Sequence, residues 1–181
     1  ALIYVYDNNS TDDSVEQAQQ AGATVRIESM QGKGHVIRRM FADIEADLYV
    51  MVDGDSTYPA EEAHKLVDHL LTHQLDMVVG ARVPEKGAHR PRHELGNRFF
   101  NAVIARLFGQ GMQDIFSGYR VFTRRFVKSF PAVSGGFEIE TELSVHALDA
   151  RIPFSEAQVP YLARPEGSES KLNTYYDGSR T

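Results

Sequence analysis

Cysteine is absent from all 181 residues, which excludes disulfides, zinc–thiolate sites and a thiol nucleophile. Basic excess is lacking too: the net charge is −6, so a general nucleic-acid binder, which needs a cationic face for phosphates, is not expected. No apolar run approaches the ~20 residues of a membrane-crossing helix, and no signal peptide, internal repeat or low-complexity tract stands out. Hydrophobic content of 42% and charged content of 24% belong to an ordinary folded domain. A chain of this length can bury roughly 70% of its unfolded surface around one core. It opens at Ala1, directly in a strand-like run, and is expected to be a fragment of a longer protein.

The first half alternates strand and helix signals. Leu2–Tyr6 is a short β-branched and aromatic run stopped by Asp7-Asn8-Asn9. Ser10 or Thr11 is positioned to cap a helix that Gly22 ends, and Thr24–Glu28 reads as the second strand. Gly32-Lys33-Gly34 opens a helix running to about Ala46. Leu48–Val52 is a continuous apolar run, expected to be a strand buried on both faces. Ala63, Leu66, Val67, Leu70 and Leu71 follow helical spacing, and Met77–Val79 is a further buried strand. This alternation predicts an α/β fold with a mostly parallel sheet flanked by helices. The second half is less regular. A loop is expected over residues 83–92, an amphipathic helix from Leu95 to Phe108, a strand at Tyr119–Thr123, a helix at Glu138–Ala150 and a strand at Ala157–Leu162.

Asp53-Gly54-Asp55 follows the Leu48–Val52 run directly. Residues two apart in extended chain face the same side, so both carboxylates can hold one divalent ion, Mg²⁺ or Mn²⁺, and Gly54 allows a bend and a close approach. Ligands of open α/β sheets bind beyond the strands' carboxyl ends, and a hard cation is completed there by substrate phosphates. A plain Asp-Gly-Asp turn is the competing reading. The Asp7–Asp12 segment, with Asp7 and Asn9, offers polar groups for a base or ribose, or is a capping turn. Gly32-Lys33-Gly34 places an ammonium where a diphosphate could lie, without P-loop spacing. The seven histidines form no metal-ligand pattern and are expected to be solvated.

In order and separation, these segments resemble the inverting glycosyltransferases of family 2, which have the Rossmann-like GT-A fold. Asp7-Asn8-Asn9-Ser10-Thr11-Asp12 is similar to that family's Asp-Asp-Gly-Ser-x-Asp turn, with Asn8 and Asn9 in place of its second acid and glycine. Asp114-Ile115-Phe116-Ser117-Gly118-Tyr119-Arg120 resembles the Asp-x-x-Ser-Gly-(Phe/Tyr)-Arg segment of dolichol- and bactoprenol-phosphate glycosyltransferases. Arg164–Lys171 resembles their Arg-x-x-Gly-x-Ser-Lys segment with one extra Ser-Glu pair, and Gly80-Ala81-Arg82 their arginine-bearing strand end.

The resemblance implies a single catalytic domain, with a nucleotide-binding half over about 1–82 and an acceptor-binding half over 83–181. It implies that Asp7, Asn9 and Lys33 contact the nucleotide, Asp53 the ribose or metal, and Asp55 the metal. Arg82, Arg164 and Lys171 would serve phosphates, Arg92 less so, and Arg120 either a phosphate or Asp114 in a structural pair. Asp114 is a base if the acceptor is a hydroxyl, and a brace or orienting group if the acceptor is a polyprenyl phosphate. The donor would be a UDP- or GDP-linked hexose. The full-length protein would work at the cytoplasmic face of a membrane. The family's usual first strand, before residue 2, is lacking, and Thr57 stands where some relatives carry a glutamine ligand. A glycan hydroxyl acceptor and a non-catalytic sugar-nucleotide-binding module are the alternatives. A sugar-1-phosphate nucleotidyltransferase would be expected to show a glycine-rich N-terminal loop.

Overall fold

The computed structural model describes residues 1–84, 106 and 111–164. The expected helix at 95–108, nearly all of the expected loop, Arg92 and Lys171 lie outside the described residues. The chain forms two compact units, one within Ala1–Glu45 and Pro131–Ile139, the other within Ala46–Phe130 and Glu140–Asn173.

In the first unit, β1 (Tyr4–Asp7) pairs in parallel with β2 (Thr24–Ile27), Tyr4 opposite Thr24 and Asp7 opposite Ile27. Between them lies α1 (Ser14–Gln20), halted where Gly22 takes a left-handed φ of 85°. The helix starts later than Ser10 or Thr11 because Ser10 N–H is bound to Asp7 Oδ2 at 3.2 Å, in the turn that closes β1. Asp12 then accepts from Ser14 N at 3.1 Å and from Ser14 Oγ at 2.5 Å. In α2 (Lys33–Asp43), Gly34, Ile37 and Phe41 form the buried face. Asp43 at its end accepts from Tyr6 Oη at 3.0 Å and Arg26 Nη1 at 2.6 Å.

The second unit holds β3 (Leu48–Met51), α3 (Glu62–Thr72), β4 (Met77–Pro84), β5 (Arg120–Thr123), α4 (Arg124–Ser129), most of α5 (Ile139–Asp149) and β6 (Phe154–Tyr161). Its sheet has the order β3-β5-β4-β6. Strand β5 is antiparallel to both β3 and β4, and β6 is parallel to β4, so β3, β4 and β6 run one way and β5 alone is reversed. The carboxyl ends of three strands and the amino end of β5 therefore share one edge. Asp53, Arg82, Arg164 and the turn before Arg120 all issue from it.

Tyr58, Leu66, Leu70, Val78, Tyr119, Val121 and Val159 form the core cluster of this unit, with α3 laid on the sheet. Leu71 departs from expectation and is 57% exposed, because it lies one helical step of about 100° beyond the Leu66–Leu70 stripe. Strand β3 departs as well: it is an edge strand, Tyr49 is buried, and Val50 on the opposite face is 43% exposed. Helix α4 carries no periodic signal because it is only 6 residues long. It forms because Thr123 Oγ1 caps it, accepting from Phe126 N at 3.3 Å, and because Phe126 stacks on Phe122.

Asp76 ties the start of β4 to the end of β5: Thr123 Oγ1 donates to its Oδ1 at 2.6 Å and Arg125 Nε at 3.0 Å. Burial pushes the Asp76 carboxyl up, but the Arg125 and Thr123 hydrogen bonds outweigh it and hold it below the ordinary range. A folded-state pKa that is depressed contributes stability above the unfolded value of about 3.9. That stability is lost as pH falls through the folded value. The thermal midpoints of wild type and Asp76→Asn are thus expected to differ at neutral pH and to converge in acid below about pH 4. A constant gap across that range would refute the linkage.

Candidate active site

The turn after β3 is shaped by its own side chains. Asp55 Oδ1 accepts from Thr57 N at 3.1 Å and Thr57 Oγ1 at 2.5 Å, an Asx turn that aims the carboxylate. The left-handed residue of the turn is Ser56, with φ 60°. A Cβ at Gly54 would meet nothing within 4 Å, so the approach to the carboxylates over this residue is open. Thr57 is almost wholly buried and orients Asp55, a role legible in the Asp-x-Thr spacing yet missed in the sequence reading.

Asp55 Oδ2 meets Arg164 Nη2 at 2.6 Å. Two hydrogen-bonded steps explain how residues over a hundred positions apart meet. Strand β6 runs parallel beside β4 to the same sheet edge, and Leu162 N then donates to Thr57 O at 2.9 Å. The Asp53-Gly54-Asp55 turn and Arg164 therefore lie together at this sheet edge.

Gly118 is where the Asp114–Arg120 segment meets the first aspartate. A Cβ built there would lie 2.6 Å from Asp53 Cγ and 2.8 Å from its Oδ1. Only glycine lets the Asp53 carboxylate rest against this backbone. Gly118→Ala is expected to displace Asp53 and lower turnover about 10²-fold, the scale of a 1 Å misplacement. Its melting temperature should stay close to wild type, and a fully active Gly118→Ala enzyme would show that Asp53 is not used where it lies.

Beneath the site a buried network sets the segment's register. Ser117 Oγ donates its one proton to Gly80 O at 2.6 Å, so Tyr58 Oη, 3.3 Å away, must donate to Ser117. Gly118 N donates to Tyr58 Oη at 3.2 Å and Tyr119 N to Ser117 Oγ at 3.2 Å. Burial pushes the Tyr58 hydroxyl up, so it stays protonated and keeps its donor role.

Arg82 grips Asp114 with two prongs: Nε to Oδ2 at 2.7 Å and Nη2 to Oδ1 at 2.7 Å, with Arg82 N on Oδ2 at 3.1 Å. Burial works against the Arg82 charge, but the Asp114 pair prevails and keeps its pKa raised. The guanidinium also lies over the Tyr161 ring, 5.4 Å from its centroid. Glu156, on β6, accepts from Gln113 N and Asp114 N at 2.7–2.9 Å and fixes the turn that carries Asp114. Glu156 gave no signal in the sequence, because it lies 42 residues from Asp114.

Of the two roles expected for Arg120, a phosphate contact or a structural pair with Asp114, the pair is not formed: Arg120 is fully buried and donates to the carbonyls of Ser117, Ile115 and Glu140 at 2.9, 2.6 and 3.1 Å. Both faces of β5 are covered, with Arg120, Val121 and Phe122 all inaccessible to solvent, so the Arg120 guanidinium is spent on backbone carbonyls inside the protein. Arg82, from the neighbouring strand, holds Asp114 in its place.

In the first unit, Asp7 is buried at the end of β1, and Asn9, at φ 62°, donates its amide to Ser29 O at 3.0 Å. Asn8 ties the same loops together, donating to Glu28 O and Met30 O and accepting from Gly32 N. Lys33 is the first residue of α2. The Gly32–Gly34 segment docks on Ser134-Gly135-Gly136: Gly34 N donates to the carbonyls of Gly135 and Gly136 at 3.1 Å each. A Cβ at Gly34 would lie 2.8 Å from Ser134 C, so each glycine run exists partly to admit the other.

Two carboxylates on one tripeptide, one resting against a glycine and the other already facing a cation, are a hard-oxygen donor set that suits Mg²⁺ or Mn²⁺. Among the described residues no group of three or more His, Cys, Asp or Glu could hold a metal. The remaining ligands would come from a bound diphosphate and water. Among the described residues no helix is long and apolar enough to cross a membrane.

A family model described as glycosyl transferase family 2 matches residues 2–130. Glycosyltransferase AglJ of Haloferax volcanii is 39% identical over 181 residues, covering 98% of this chain and 59% of that protein. The low-salt glycan biosynthesis hexosyltransferase Agl6 of the same organism is 30% identical over 180 residues, covering 97% and 43%. Glucosyl-3-phosphoglycerate synthase from Mycobacterium tuberculosis, crystallised with Mn²⁺ and UDP-glucose, superposes with a TM-score of 0.77 at 25% identity, covering 98% of this chain and 64% of that one. The chain spans less than two thirds of the length of each of these proteins.

Proposed function

This chain belongs to glycosyl transferase family 2, and from that premise we propose that it transfers a hexose from a UDP- or GDP-sugar to a polyprenyl phosphate, inverting the anomeric centre. An oxygen of the acceptor phosphate attacks the anomeric carbon from the face opposite the leaving group. The bond from that carbon to the diphosphate breaks, its electron pair leaving with the nucleoside diphosphate. A phosphate monoester, with a second pKa of about 6, attacks already ionised and has no proton to lose.

The observation that carries the acceptor class is the Arg82–Asp114 fork. Both Asp114 oxygens are committed to Arg82, so this carboxylate is a positioning group for a phosphate-binding arginine and a poor base for a hydroxyl. Asp53 and Asp55 would hold Mg²⁺ or Mn²⁺, which supplies charge compensation on the departing diphosphate. Arg82 and Arg164 orient and neutralise acceptor phosphate oxygens, and Lys171 would add a further cation. Asp7, Asn9 and Lys33 serve the nucleotide. The full-length protein would act at the cytoplasmic face of a membrane, where such acceptors are anchored. Similarity to a hexosyltransferase of glycan biosynthesis favours a second reading, transfer to a sugar hydroxyl.

Incubating the intact protein with radiolabelled UDP- and GDP-hexoses, Mn²⁺ and polyprenyl phosphate tests the choice. Label entering the organic phase, in an alkali-stable and acid-labile product, is the expected result. Label confined to water-soluble glycan overturns the lipid acceptor and supports the second reading.

A further inference from the structure

Asp55 presents two unequal oxygens. Oδ1 is fixed by Thr57, through a backbone N–H and a nearly buried hydroxyl. Oδ2 carries Arg164 at 2.6 Å, in a pair whose side chains are 27% and 22% exposed. A divalent ion on Asp55 must therefore approach on the Oδ2 side, and there it meets a guanidinium. Repulsion between a double and a single positive charge on one oxygen is twice that of a unit pair. The two cations compete.

Arg164 lies just past the end of β6. Its chain is pinned two residues earlier by the Leu162 N to Thr57 O hydrogen bond, and residues 162–164 have no regular structure. Its long side chain thus starts from a fixed point beside Asp55, on the same sheet edge as Arg82.

We propose that Arg164 is an exchangeable counter-ion of Asp55, which yields the carboxylate to the divalent cation and is thereby released to bind the acceptor phosphate. The inference rests on the reading of Asp53 and Asp55 as metal ligands and deepens it: metal loading and acceptor binding become coupled events, donor side first. Coupling of this kind is reciprocal, so each ligand tightens the other.

Mn²⁺ titration of the intact protein, followed by the electron paramagnetic resonance of free Mn²⁺ without donor or acceptor, tests it. Arg164→Gln is expected to bind Mn²⁺ about three- to tenfold more tightly than wild type, the worth of a partly exposed ion pair. Arg164→Lys, which keeps the charge, should stay near wild type, and added salt should narrow the difference. Equal or weaker binding by Arg164→Gln overturns the exchange, as does Mn²⁺ binding by neither protein. In wild type, Mn²⁺ should raise affinity for a short-chain prenyl phosphate, and Arg164→Gln should abolish that effect; an effect unchanged in the variant overturns the release step. Because the titration needs no turnover, tighter Mn²⁺ binding without sugar transfer would sink the transferase reading alone. Transfer with equal Mn²⁺ affinities would sink the exchange alone.

Discussion

Asp55→Asn is expected to lower sugar transfer by about 10³-fold or more while the fold survives. The substitution keeps the shape of the side chain and an oxygen for Thr57, so the Asx turn persists. What disappears is the negative charge that would hold a divalent ion against the leaving diphosphate. Lewis-acid stabilisation of that kind is worth several kcal/mol, and about 4 kcal/mol corresponds to a thousandfold in rate. Asp55 is 22% exposed and its ion pair with Arg164 is accessible, so stability should change by about 1 kcal/mol at most. The check is kcat/KM for the nucleotide-sugar beside a thermal melt. A variant within tenfold of wild type would remove Asp55 from the chemistry. A variant that is inactive because it unfolds would leave the melt transition well below wild type.

The second large effect concerns stability and inverts ordinary conservatism. Arg120→Lys should destabilise by about 3 kcal/mol, or about 6–12 °C in melting temperature for a chain of this size. Arg120 holds three backbone carbonyls in different directions with one planar fork, in a fully buried position. A lysine keeps the charge buried but reaches fewer of those carbonyls. Arg120→Met should cost less than Arg120→Lys, because it removes the desolvated charge along with the hydrogen bonds. Burial pulls the Arg120 pKa down, and the nearby charges of Glu140, Asp114 and Glu156 offset that only in part. Urea unfolding of the two variants decides the matter. If lysine is tolerated better than methionine, the charge is stabilised by something other than these carbonyls. Since Arg120 anchors the turn that carries Asp114 and Ser117, both variants should also lose activity.

Much of the candidate site was legible before any fold was known. Strand ends followed by Asp-Gly-Asp and by Gly-Ala-Arg are local signals, set by period-two alternation and by the residue types that bind cations and phosphates. The partner of each charged group was not legible. Arg120 stands six residues from Asp114 and Arg82 stands 32 away, yet Arg82 holds the carboxylate. Spacing along the chain cannot rank such partners, because the strand faces that separate them depend on neighbours in the sheet.

What the sequence by itself determined is the set of elements and their chemistry: β-branched runs that extend, an α3 stripe that buries, glycines that allow close approach, and paired acids beyond a strand. What only the tertiary structure decided is which of these meet. The reversal of β5 between β3 and β4 brings the Asp114–Gly118 turn to the carboxyl edge of the other strands, and β6 delivers Arg164 to the same edge. Strand direction and order follow from how whole faces are covered, a property of the assembled sheet and of no single segment. That is why Asp53 against Gly118, and Asp55 against Arg164, appear only once the chain has folded.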